Sequence, residues 1–269
     1  RLIASIKELN AQSLVLDSGS TDDTVAIAQN AGATVLVHRF ENHPKQWDYA
    51  LNNFRVATPW VICLDADHVV TPELRQLLTD FRPEHYAAVD GIYFNRKNFF
   101  KGRWVRFGGL YPFYMLKMFR YGAGYSDLSE NMDHRFVVTG KTVIWKNGHL
   151  LEENLKENEI SFWVNKHNRY SNLAAIEELE RIKKLRSQTV KPEFWGAPNQ
   201  RRAWLKRLWW KMPRYVRPAI YFTYRMIFRL GFLDGKTGRT FHFLQGFWFR
   251  FMVDMKIDEL LRKQHEQKQ

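Results

Sequence analysis

Cysteine is almost missing from this 269-residue chain, where Cys63 stands alone. That excludes an internal disulfide and a cysteine-rich metal centre. Set within Val61-Ile62-Cys63-Leu64, it reads as a small buried hydrophobe. No stretch reaches the roughly 18 uncharged apolar residues of a membrane-spanning helix, and there is neither an internal repeat nor a low-complexity segment. Acidic residues are scarce at one end. Residues 201–269 hold 16 Lys and Arg against 5 Asp and Glu, which is +11 of the chain's +13. The rest is therefore almost neutral, and the basic, aromatic end points to an anionic surface as partner. An initiator Met is also lacking: the chain starts at Arg1 and its first residues read as the middle of a helix, so a truncated N-terminus is expected.

What is present begins with alternation. Ser13–Asp17, Thr34–His38 and Trp60–Leu64 read as short strands. Between them Ser20-Thr21-Asp22-Asp23 reads as a capping box for one helix, and residues 44–57 as a second helix. Thr71-Pro72 starts a third as N-cap and first helical residue. This pitch predicts right-handed crossovers in a mostly parallel sheet. After residue 85 longer strands are expected over Ala88–Asn95 and Tyr111–Arg120, with a hairpin over Phe136–Trp145. A long helix is expected over Ile160–Leu185. The expected division is 1–186 catalytic domain, 187–200 linker, 201–269 basic helical region, with helices near 203–231 (interrupted at Pro213 and Pro218) and 238–264.

Two acidic loops would lie at the carboxyl ends of the strands, where open α/β sheets bind ligands: Asp17-Ser18-Gly19-Ser20 and Asp65-Ala66-Asp67. Carboxylates ending an apolar strand are costly unless paired, and a cation is the obvious partner. Hard oxygen donors suit Mg²⁺ or Mn²⁺, which keep waters and grip substrate phosphates.

"VLDSGSTDDT", "QWDYALN" and "WVICLDADHVVTPEL" resemble the family 2 glycosyltransferases, especially the bacterial group of lipopolysaccharide-core β-glucosyltransferases and exopolysaccharide glycosyltransferases. The resemblance runs well through about residue 180 and continues in "RPAIYFTYRMIFRLGFLDGKTG" and "FRFMVDMKIDE". It implies a GT-A fold, that is, a Rossmann-like α/β fold with a mixed, mostly parallel sheet, here with a C-terminal helical membrane-associated extension. It also implies that a first strand is missing. Residue by residue, it implies that Asp17 faces the nucleotide base with Ser18 beside it. Asp65 and Ala66 would lie along the nucleotide sugar, and Asp67, with Asp65, would hold the metal bridging the diphosphate. Lys45 and Gln46 would give weaker support.

An inverting transferase needs a base for the acceptor hydroxyl. "SDLSENMDHRFVV" offers Glu130, Asp133 and His134, with His134 standing where similar sequences carry Glu. Asp133 is preferred, and a surface strand-end histidine is an equal reading of His134. In "GRWVRFGGLYPFY" the pair Gly108-Gly109 would let a ligand approach the backbone, and Trp104 and Tyr111 could stack on sugars; an aromatic core corner is the competing reading. Glu152 and Glu153 are possible acceptor contacts. Lys166, His167 and Arg169 could meet a lipid diphosphate, although a solvated helix face explains each of them singly. Gln200–Trp204 reads "QRRAW", without the Q-x-x-R-W of processive synthases, so single addition is expected.

The basic tail mixes Trp, Tyr and Phe with Arg and Lys, as interfacial helices do, so an anionic membrane surface is favoured over nucleic acid. The expectation is an inverting, metal-dependent hexosyltransferase at the cytoplasmic face of the inner membrane, peripheral or monotopic. It would move one sugar from a nucleotide-diphosphate sugar, UDP-hexose by resemblance, to a lipid-linked glycan of the cell envelope. Two rivals stand beside it: a polyprenyl-phosphate glycosyltransferase, and a non-catalytic membrane-surface scaffold.

Overall fold

A computed structural model describes residues 1–129, 134–183 and 189–267. In chain order the elements are α1 (Leu2–Ile6), β1 (Leu14–Asp17), α2 (Thr24–Asn30), β2 (Thr34–Val37), α3 (His43–Asn53), β3 (Trp60–Ile62), β4 (His68–Val70), α4 (Pro72–Thr79), β5 (Gly91–Phe100), β6 (Arg103–Val105), β7 (Tyr114–Arg120), β8 (Gly124–Ser126), β9 (Phe136–Val138) and β10 (Thr142–Glu152). The helices α5 (Ile160–Ile182), α6 (Pro198–Lys211), α7 (Val216–Thr223), α8 (Gly235–Phe241) and α9 (Phe249–Glu266) follow. Two compact units form: residues 1–95 with 114–151, and residues 96–113 with 152–269.

In the first unit the alternating start of the chain does become strands and helices, but they do not make the mostly parallel sheet expected. β1 and β2 pair in parallel as a separate two-stranded sheet. The larger sheet runs β3-β7-β5-β10-β4, with β6 on β5, and β3 and β5 both lie antiparallel to β7. β3 is only three residues long, and its neighbour arrives from fifty residues downstream rather than from the preceding crossover. The expected hairpin is also redrawn. β9 pairs with β8, while β10 joins the larger sheet. On one side of that sheet Trp60, Leu74, Ile92, Phe94 and Leu150 form the core; Cys63, Tyr93, Leu116, Phe119 and Phe136 form a second cluster.

Local signals at helix starts fared unevenly. Thr71 caps α4 as expected, its hydroxyl accepting from the Leu74 N–H with Pro72 in the first turn. The capping box before α2 does not form. The Ser20 hydroxyl donates to Asp17 Oδ1 at 2.5 Å instead, and the helix begins at Thr24 without a side-chain cap. The Asp17 carboxylate takes the Ser20 hydroxyl as a charge-assisted donor and holds it on the strand side, away from the helix N–H groups it would have capped.

In the second unit α5 packs along α9. Pro213 lies between α6 and α7 as anticipated. Pro218 interrupts nothing, because it sits in the first turn of α7, where the missing N–H has no helical partner to lose. The helix expected over 238–264 forms: the backbone is helical without a break from α8 through a π-helical segment at His242–Trp248 into α9. Among the described residues no helix is long and apolar enough to cross a membrane.

Candidate active site

The site grows from strand register. Ile62 faces Met118 across β3 and β7, and the Cys63 N–H donates to the Lys117 carbonyl at 2.8 Å. Lys117 is thus set beside the residues that follow β3. Its ammonium, 1% exposed, donates to Asp65 Oδ2 at 2.7 Å. His134 Nε2 stands 3.3 Å from the Lys117 nitrogen and 3.5 Å from Asp65 Oδ1. His68, fully buried, puts Nε2 3.5 Å from Asp65 Oδ2. Burial alone would raise the Asp65 carboxyl, but the Lys117 ammonium first, then His134 and His68, outweigh it and hold the group far below the carboxylate range.

The D-x-D stretch is a closed turn. The His68 N–H donates to the Asp65 carbonyl at 2.9 Å, and the Asp65 N–H reaches His68 Nδ1 at 3.1 Å. Because Nδ1 accepts, the His68 proton sits on Nε2, facing the Asp65 carboxylate. Ala66 is exposed at the tip and Asp67 is half-buried beside it. Among the described residues no three His, Cys, Asp or Glu side chains converge as a metal cage. The turn therefore fits a hard cation only in the manner of Mg²⁺ or Mn²⁺, held by one or two carboxylates and completed by phosphate and water.

Helix α3 links this turn to the other acidic loop. Gln46 Nε2 donates to Ser18 Oγ at 3.2 Å and to the His38 carbonyl at 3.1 Å, and its Oε1 meets His38 Nδ1 at 2.8 Å. At the next residue, the Trp47 ring lies 5.7 Å from that of His134 and packs edge-on against Phe136. His43, from the same helix, lies 5.9 Å from His134. Asp17, 5% exposed, accepts from the Gly19 and Ser20 N–H groups at 2.8 Å and from the Ser20 hydroxyl. The Ser20 hydroxyl chiefly, then these backbone donors, lower its carboxyl despite burial. The carboxylate thus shapes its own loop. Gly19, at φ +90°, is the residue that lets this loop turn back.

Of the residues singled out from sequence, Asp65 and His134 are brought together, and Gln46 joins Ser18. Lys45 stands apart on an exposed face, ion-paired with Glu41. Glu130 and Asp133 lie outside the described residues; on either side of them Arg135 pairs with Asp127 at 2.7 Å. Lys117, His43 and Trp47 were not read from the sequence. The signal for Lys117 was available, since a lysine inside the apolar strand "YMLKMFR" must find a buried anion.

The remaining candidates belong to the second unit. Trp104 meets Tyr111 edge-to-face at 5.1 Å and has Lys97 over its ring. Gly108 and Gly109 both adopt left-handed backbone, and the His242 side chain lies against Gly108. A Cβ there would stand 2.2 Å from His242 Cε1. Glu152 accepts from Arg96 at 2.6 Å, and Glu153 is half-buried nearby in sequence. Lys166 pairs with Glu157 at 2.5 Å, and His167 stacks on Trp163.

Known proteins carry the same pattern. Residues 1–137 match the family described as Glycosyl transferase family 2. The chain is similar to the lipopolysaccharide core biosynthesis glycosyltransferase LpsC of Rhizobium meliloti, 27% identical over 250 residues, covering 87% of this chain and 80% of that protein. It also resembles two uncharacterized glycosyltransferases. One is RC0292 of Rickettsia conorii, 37% identical over 75 residues (28% of this chain, 26% of that one). The other is RP128 of Rickettsia prowazekii, 33% identical over 92 residues (33% and 31%). The chain spans less than a third of the length of these Rickettsia relatives.

Proposed function

The chain belongs to glycosyl transferase family 2, and from that premise we propose that it moves one sugar from a nucleotide-diphosphate donor to a lipid-linked glycan of the cell envelope, with inversion. The similarity to LpsC, which extends over both compact units, supports an acceptor of the lipopolysaccharide-core type. UDP-hexose is the donor class we assign, and the lipid-linked acceptor puts the protein at the cytoplasmic face of the inner membrane. The observation that carries the reading is the Asp65–His68 turn, locked by buried Lys117 with Asp67 beside its exposed tip.

In this reading Lys117 neutralises and fixes Asp65, so that the turn is rigid before substrate arrives. Pre-set geometry of this kind lowers the cost of reaching the transition state. Asp67, assisted by Asp65, would hold a divalent cation, which when bound neutralises the departing diphosphate. Exposed Ala66 leaves room for the nucleotide, while the Asp17 loop, braced by Gln46 on Ser18, flanks the donor. His134, nine-tenths buried among Trp47, Phe136 and His43, holds the Lys117–Asp65 pair. Asp133, next to it in the chain, is assigned the acceptor proton; Glu130 is the alternative carboxylate.

The test is turnover of a panel of UDP-hexoses by the purified protein with Mn²⁺ and a membrane extract. Sugar incorporation that disappears with Asp67→Asn, while the fold is retained, supports the proposal. No nucleotide-sugar binding or turnover under any metal would refute it and favour a scaffold.

A further inference from the structure

The sharpest departure from ordinary surface chemistry lies at one corner of the second unit. Ile227, Phe228, Leu230, Phe232 and Leu233 are 59%, 73%, 45%, 46% and 52% exposed, packed into seven consecutive residues. Scattered exposed hydrophobes need no explanation, but a contiguous group does.

This corner is built rather than loose. A π-helical turn ends at Phe228, Leu230 takes a left-handed conformation at φ +57°, and a 3₁₀ turn runs Gly231–Asp234. A branched apolar residue at positive φ is costly and persists only where its surroundings impose it. Here they do. The Arg229 carbonyl accepts from the Gly108 N–H at 2.8 Å. Asp234 accepts from the Arg106 and Phe107 N–H groups at 2.9–3.1 Å and from His242 Nε2 at 2.8 Å. Behind them buried Arg225 meets His242 Nδ1 at 2.8 Å. Gly231 is buried so tightly that a Cβ would stand 2.8 Å from the Arg225 carbonyl.

Charge identifies the partner. Arg229, Lys236 and Arg239 are exposed around the corner, whereas the Asp234 carboxylate is 3% exposed and turned inward. Among the described residues from Ile227 to Thr240, the exposed charges are thus all cationic. A second copy would bring like charges face to face, but a bilayer carrying anionic headgroups matches both the tip and the rim. We propose that the Ile227–Leu233 corner inserts into the headgroup boundary of an anionic lipid bilayer and fixes the protein there as a monotopic binder. This does not depend on the glycosyltransferase assignment, and its test needs no turnover.

The experiment is co-sedimentation of the full chain with phosphatidylcholine vesicles and with vesicles one-third phosphatidylglycerol. The wild type should pellet with the anionic set. The triple variant Ile227→Ser, Phe228→Ser, Leu233→Ser should bind at least about tenfold more weakly with an unchanged circular dichroism melt. Lys236→Gln with Arg239→Gln should lose severalfold and show a shallower salt dependence. A second measurement guards against a misfolded variant: Phe228→Cys labelled with an environment-sensitive fluorophore. Cys63 will not compete, because it is buried and its thiol is pushed up to about 12. A blue shift on anionic vesicles, quenched by brominated acyl chains, supports insertion. Equal binding by the apolar variant, an unshifted probe, or a concentration-dependent dimer abolished by that variant without vesicle binding would each overturn it.

Discussion

The two compact units both bury charge, but they leave it facing different things. In the first, Lys117 is 1% exposed while its partner Asp65 is 24% exposed. In the second, Arg217 binds Asp254, and these side chains are 3% and 0% exposed. His242 and Asp234, 0% and 3% exposed, are sealed in the same way. A closed pair can only hold elements together, as Arg217 does in joining α7 to α9 and, through Glu178, to α5. A pair with one carboxylate still reaching solvent is a different object. Its cation sets the charge and direction of a group that a ligand can meet. The apolar surface is divided in the opposite sense, since most of the exposed large hydrophobes lie in the second unit. In the functional reading proposed above, the first unit holds the donor site and the second carries the lipid-facing surface.

The largest effect that would sharpen this contrast comes from the open carboxylates. Asp67→Asn should lower transfer by about a thousandfold or more with little change in melting temperature, because it removes charge stabilisation of the leaving group rather than packing. Chelation should match that loss and added Mn²⁺ should reverse it, read as UDP release. By contrast Asp254→Asn should unfold the second unit before it affects chemistry. Equal melting losses at Asp67 and Asp254 would erase the distinction between a carboxylate that reaches solvent and one sealed in the fold.

Next in size is Lys117→Met. Breaking a fully buried pair on one side costs about 3–5 kcal/mol, and the loss here should fall below that because Asp65 still reaches solvent and keeps His68 and His134 beside it. Combining it with Asp65→Leu should recover much of that in urea melts while activity stays lost. Recovery of stability without recovery of turnover is the signature expected of a pair kept for function.

Much of this was legible and some was not, for identifiable reasons. The strand ending in Asp17, the apolar run leading into Asp65, the Thr71 cap and the D-x-D turn all follow from neighbours within a few residues, so local patterns exposed them. Lys117 lies 52 residues from Asp65, and only the antiparallel register of β3 on β7 joins them. Periodicity gave the alternation of elements but not which strand pairs with which, so a mixed sheet was expected to be mostly parallel where, beyond the β1–β2 pair, antiparallel pairing joins β3, β5 and β7. Ser20 was read as a helix cap, its hydroxyl accepting from a backbone N–H, whereas in the fold it donates to Asp17; local spacing does not show which of its two roles a hydroxyl takes. Gly108-Gly109 was read as a place where a ligand could approach the backbone; the side chain that lies against Gly108, His242, comes from more than a hundred residues away and could not be foreseen.

That glycine pair supplies the third, smaller test. Gly108→Ala meets the His242 ring at 2.2 Å from a backbone at φ +65°, whereas Gly109→Ala at φ +78° has as nearest neighbour the flexible Arg229 side chain at 3.4 Å. The first should cost about 2 kcal/mol or more and the second about 1 kcal/mol, measured by thermal melts. If the two cost the same, His242 is not the reason for the first glycine.

The smallest effect at neutral pH, and the most direct check that the first unit is closed at rest, is at Cys63. Burial pushes its thiol up to about 12; the Lys117 ammonium works the other way and the Asp65 carboxylate adds to the rise. An acid whose folded value exceeds its unfolded one of about 8.5 contributes its full stability below that pH and loses it as pH climbs toward the folded value. Nothing should change near pH 7, and the alkaline limb of the stability curve should steepen above about pH 9. A disulfide reagent at pH 8 should react with the native chain about a thousandfold more slowly than with the denatured one, as the thiolate fractions require. Rapid native labelling would mean that β3 separates from β7 at rest. Water would then reach Lys117, its pair with Asp65 would be an ordinary solvated one, and the rigid turn that the proposed chemistry needs would not persist.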